Sequence, residues 1–224
     1  MTLSITAKCP QSGSFGVAAV TALPAVGKLV SYAFPHAGAA ATQARVNPYL
    51  GIDGIALLRR GLSAQAALSR LLDEDPNAEA RQLALIDHVG EAAAWTGAKC
   101  LPWAGHEERA GFSIQGNRLV GPQVLDNAVA AFEDSAGLAL PDRLLAAIEA
   151  GVDAGGDTKG EHSGSVLVVH EEEYPVWDIR VDHHLDPVAE LRRLHAIFAE
   201  QLVPEIRSMP TRANPSGLAG EESV

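Results

Sequence analysis

The second residue carries the most suggestive chemistry. Removal of Met1 leaves Thr2 with a free α-amine beside its own hydroxyl. A threonine hydroxyl is a weak nucleophile, and a chain-terminal amine can act as its base. Such an amine titrates near ~7.7 to 8.0, so part of it is neutral at working pH. Polar residues at expected strand ends are the next candidates. Gln115 and Asn117 close an apolar run, where an amide either donates to an oxyanion or shapes a turn beside Gly116. Gln43 stands at a strand-to-helix junction with Thr42 and Asn47. Asn47 suits an N-cap before Pro48, whereas no capping role accounts for Gln43. Asp157 follows Gly155 and Gly156 and precedes Lys159 and Gly160. Such a loop either brings a carboxylate to an amine or is a surface turn. His106, just after Trp103, either lines a pocket or packs within a loop.

Other chemistry has less support. Cys100 precedes His106 by six residues, but a buried inert thiol explains it better than a Cys/His pair. His183 and His184 are neighbours on an expected strand, so they point to opposite faces and cannot share an ion while the strand stays regular. There is no HExxH, no CxxC, no GxGxxG after a strand and no phosphate-loop motif, so neither a metal site nor a cofactor is expected. Glu171 to Glu173 reads as a solvated hairpin tip.

These residues need a scaffold, and the periodicity supplies one. Strands are expected at 3–7, 15–21, 29–34 and 38–42, with a turn at Pro10 to Gly13. Helices follow: one from Pro48 to Gly61, the next capped by Ser63 with Ala67, Leu68, Leu71 and Leu72 on one face. Strands return at 82–87, 91–96 and 111–116, then helices at 122–136 and 141–150. A hairpin over 163–170 and 175–181 leads to a last helix after Asp186-Pro187, with Val188, Leu191, Leu194, Ile197 and Phe198 as its apolar stripe. Strands and helices in separate blocks indicate an α+β domain in which two helix pairs cover a stack of two mainly antiparallel sheets. A single domain is expected over 1–203, and 204–224, with its Pro and Gly, as a poorly ordered tail.

Composition narrows the partners. The 224 residues carry 28 acidic and 17 basic side chains, a formal charge of −11, with no Lys/Arg cluster. That argues against nucleic acid or an anionic membrane surface. No apolar run reaches the length of a membrane span, and no signal segment follows Met1, so a cytoplasmic location is expected. Cys9 and Cys100 cannot build a disulfide framework or a closed zinc site by themselves.

Several blocks in order resemble the uncharacterised DUF1028 family: Thr2 to Ala7, Gly16 to Ala18, Ala40 to Pro48, Thr96 to Cys100, Trp103 to His106, Gln115 to Asn117, Gly155 to Asp157 with Gly160, and Val181-Asp182 with His184. The resemblance spans about residues 2 to 199. That family is grouped with the N-terminal nucleophile (Ntn) hydrolases, so the resemblance implies a four-layer αββα sandwich and an amide-bond hydrolase whose first mature residue attacks a carbonyl. The chain start is also similar to the Thr-initiated strand of plant-type asparaginases, although only Met1 precedes Thr2 here and no propeptide needs cutting. The lysine that proteasome-type members place about thirty residues after the nucleophile is missing, since that region reads Ala33-Phe34-Pro35-His36. The expected function is cleavage of a small-molecule amide by Thr2, with Gln43, Asn47, His106, Gln115, Asn117 and Asp157 as oxyanion or substrate contacts, in a homodimer. The alternative is an inactive small-molecule-binding or structural protein on the same scaffold.

Overall fold

Alternation in the first strand sets the layering. In the computed structural model, which describes residues 2–217, β1 (Thr2–Lys8) turns Leu3, Ile5 and Ala7 toward a helical layer and Thr2, Ser4 and Thr6 toward a second sheet. β2 (Phe15–Thr21) pairs with β1 and, on its other side, with β9 (Ser163–Val169). The other side of β1 pairs with β8 (Phe112–Asn117), followed outward by β7 (Ala104–Arg109). With β10 (Trp177–Val181) the larger sheet runs β10-β9-β2-β1-β8-β7. A smaller sheet runs β3-β4-β5-β6, from β3 (Ser31–Phe34), β4 (Gly38–Ala44), β5 (Arg81–Asp87) and β6 (Ala92–Thr96). All the ladders are antiparallel.

Helices lie on the outer faces. α1 (Pro48–Arg59) and α2 (Ala64–Glu74) bury Leu50, Leu57, Leu58, Leu68 and Leu71 against Leu83 and Leu85 of the smaller sheet. Their starts follow the expected capping: Asn47 Oδ1 accepts from Tyr49 N at 3.2 Å, and Ser63 Oγ accepts from Ala66 N at 3.3 Å. α3 (Gln123–Asp134) and α4 (Leu140–Asp153) cover the larger sheet, with Val124, Phe132, Leu144 and Ile148 over Leu3, Ile5 and Ile114. α5 (Pro187–Gln201) packs on β9 and β10 and continues into α6 (Val203–Ser208). Between the sheets, Phe15, Val17 and Ala19 meet Val30, Ala39, Ala41 and Ile86. Two stacked antiparallel sheets with helices outside them are thus present, as the block order indicated.

Three differences have physical causes. β7 is an edge strand whose His106-Glu107-Glu108-Arg109 run hides any alternation; charge on an exposed edge discourages pairing with another chain. The run at 29–34 is a strand only from Ser31, because a short 3-10 turn occupies Val26–Lys28. The chain expected to lose regular structure after Pro204 instead forms α6, where Val203 is buried. Residues 218–224, the end of that expected tail, lie outside the described residues.

Candidate active site at the start of the first strand

Thr2 opens an interior strand. Its cross-strand partner on β8 is Asn117, and since Leu3 pairs with Val20, Thr21 flanks it on the β2 side. The residue is 5% exposed, and its hydroxyl donates to the Thr21 hydroxyl at 3.4 Å, a loose contact for two hydroxyls. The loop between α4 and β9 closes over this end. Asp157 forms an isolated bridge with Leu119, just beyond β8, while His162 N donates to Thr21 O at 2.8 Å and Ser163 pairs with Thr21. Because β1 lies between β8 and β2, a segment anchored at Leu119 and Thr21 must pass across the N-terminal end of β1.

That segment brings carboxyls to the strand start. Asp157 is 5% exposed; its Oδ1 accepts from Lys159 N at 2.8 Å, and its buried Oδ2 has no hydrogen-bond partner among the described residues. Burial pushes this carboxyl above its ordinary range, against the pull of the Lys159 N–H and the Arg118 charge. Asp157 N donates to Glu161 Oε1 at 2.7 Å, and burial raises Glu161 too, with the Asp157 charge adding to the effect. A cavity of about 480 Å³ opens beside Glu161 and His162, walled by Asp153, Leu185, Asp186 and Val188.

Behind Thr2, between the sheets, the expected amides form one buried network with a member that sequence reading missed. Gln43 Nε2 donates to Thr2 O at 3.1 Å and to Gln82 Oε1 at 2.7 Å, and its Oε1 accepts from Ser4 Oγ at 2.7 Å. Gln82 Nε2 donates to Thr96 Oγ1, Gly105 O and Gly116 O. Gln115 Nε2 donates to Ala41 O at 3.0 Å and Ser4 Oγ at 3.4 Å. Asn117 Nδ2 has one acceptor, Gln82 Oε1 at 3.0 Å, so one of its two N–H hydrogens stays uncommitted among the described residues. His106 joins at the edge through a 2.9 Å contact between Nδ1 and Thr96 Oγ1. Asn47 is engaged elsewhere, capping α1 and donating to Asp75 Oδ2 at 3.3 Å. Arg81 pairs with Asp75 at 2.8 Å, and that pairing, after burial acts in the opposite sense, leaves Asp75 below the usual carboxylate range.

Thr21, Gln82, Arg118, Glu161 and His162 were not singled out by sequence. Gln82 had one signal: a long amide opening an otherwise apolar strand. Thr21 and His162 had none, because their role depends on which strands flank β1. Cys100 Sγ donates to Arg81 O at 3.3 Å, whereas the His106 ring meets Thr96, so the two do not pair with each other. Among the described residues, no group of three or more His, Cys, Asp or Glu is arranged to hold a metal ion, and no helix is long and apolar enough to cross a membrane.

The geometry describes an α+β sandwich in which the first strand of the larger sheet starts beneath a polar loop. A profile described as a family of unknown function, DUF1028, matches residues 2–191, and the chain belongs to that family. A crystal structure of a DUF1028 protein from Silicibacter pomeroyi is similar, at TM-score 0.89 and 30% identity, covering 97% of this chain and 98% of that one. Anbu (ancestral beta-subunit) from Yersinia bercovieri aligns at TM-score 0.41 and 12% identity, over 88% of this chain and 97% of that one. No curated protein matches the chain.

Proposed function

We propose that this protein is an Ntn-type hydrolase of small amides, with Thr2 as nucleophile after loss of Met1. The observation that carries the reading is the placement of Thr2: first in an interior strand, beside Asn117 and Thr21, beneath a loop that holds the incompletely partnered Asp157. In this reading Thr2 Oγ1 attacks the substrate carbonyl, and its proton passes to the Thr2 amine. The amine returns that proton to the leaving nitrogen as the C–N bond breaks, leaving an ester on Thr2. Water then cleaves the ester, with the amine again as base.

In this reading the candidate amides have different parts. Gln43, Gln82 and Gln115 spend their N–H groups on protein acceptors, so they hold the scaffold, and Gln43 fixes the Thr2 carbonyl. Asn117 keeps an N–H hydrogen next to Thr2 and is the side chain suited to an oxyanion. Asp157 acts as a positioning residue: its carboxylate accepts an N–H from the Thr2 amine and turns the amine lone pair toward Oγ1. His106 and Asn47 have structural parts.

A screen of small amides, lactams and ureido compounds, run on the Met-free protein beside Thr2→Ala, tests the reading. Turnover that vanishes in Thr2→Ala is the expected result. Saturable thermal shifts with no turnover and no acylation of Thr2 would instead establish a binding protein.

A further inference from the structure

At the opposite end of β1, about 20 Å along the strand, lies a cleft of about 410 Å³ that the proposed reaction does not use. It sits among the β1–β2 turn, the β7–β8 turn and the α3–α4 pair, and Lys8, Arg109 and Arg143 line it with a single acid, Glu133. Three cations line this one cleft in a chain of net charge −11, and Arg143 makes the case.

Arg143 is 7% exposed and stands in the first turn of α4, where a cation opposes the helix dipole. Its Nη2 donates to Phe132 O at 3.1 Å, and its guanidinium lies 3.9 Å above the Phe132 ring, which itself packs against Phe112. These contacts help finish the C-terminus of α3. They leave the charge uncompensated: among the described residues Arg143 has no carboxylate partner, and its buried Nε has no acceptor. Burial lowers its pKa, offset only by the neighbouring Cys9. A buried charge ordinarily has a counter-charge. The other two cations can add donors, since Lys8 Nζ spends one N–H on His88 O at 2.7 Å and Arg109 holds Glu107 through Nη1 at 2.8 Å.

We propose that this cleft is a binding site for a small oxyanion, a carboxylate or a phosphate, held by Arg143 at its base and by Lys8 and Arg109 at its rim. The site is separate from Thr2 and stands whether or not Thr2 is catalytic. Titration calorimetry and thermal melts of the full chain, with benzoate and with inorganic phosphate against sodium chloride at matched ionic strength, test it. Saturable binding of one anion is expected; the stronger of the two identifies the source as carboxylate or phosphate. Lys8→Gln with Arg109→Gln should weaken binding by roughly tenfold or more, and Arg143→Gln should abolish it. The rim variant keeps the test valid if Arg143→Gln fails to fold. Thr2→Ala should bind as the wild type does. Absence of saturable binding beyond chloride, or binding unchanged in the rim variant, overturns the proposal.

Discussion

Two side chains at the strand start have separable roles. Thr2 donates its hydroxyl to the Thr21 hydroxyl at 3.4 Å, a loose contact, and Thr2→Ala should cost about 1 kcal/mol of stability while abolishing turnover. Urea denaturation beside the amide screen checks both halves. Asp157 behaves in the opposite way. Burial raises its folded-state pKa above the unfolded value, so the folded protein binds the extra proton through a window above the ordinary carboxylate range. Stability contributed by this group therefore falls as pH rises through that window, and the penalty is fully present above the folded pKa. Asp157→Asn should be more stable than the wild type at pH 7, with the advantage gone below about pH 4. In activity the same variant should shift the basic limb of the pH–rate profile, a change that a purely structural residue would leave in place.

At the level of elements, the site depends on how two sheets meet. Gln82 joins β5 to β8 and β7, accepting from Gln43 and Asn117 and donating to Thr96, Gly105 O and Gly116 O. Gln82→Leu strands these partners and should cost about 3 kcal/mol in denaturant titration, with a larger loss of activity than of fold. Gly38 begins β4 at φ +151°, and a Cβ there would sit 2.0 Å from Ile86 O. Gly38→Ala should cost at least about 2 kcal/mol, visible as a lower melting temperature. Sequence periodicity located most of these elements because Leu3, Ile5 and Ala7, or Leu68 and Leu71, repeat at the period of the structure they form. It missed β7, whose charged edge breaks the pattern, and α6, which has too few residues to show one.

The whole molecule supplies what no local pattern contains. Thr2, Gln43, Asn117 and Asp157 were legible as isolated polar residues at expected element ends, and register explains their relation: Thr2 faces Asn117, while the α4–β9 loop, anchored at Leu119 and Thr21, crosses above. Gln82, Thr21 and His162 stayed hidden because strand order, which chain order does not dictate, makes them neighbours. The central claim is that the working chain begins at Thr2. Peptide mass spectrometry of protein purified from its own cells, after treatment with an electrophilic β-lactone that acylates nucleophilic hydroxyls, tests it most directly. The account predicts a chain lacking Met1 and carrying one acyl group on Thr2. A chain that keeps Met1, or a Met-free chain whose Thr2 stays unmodified, would contradict it.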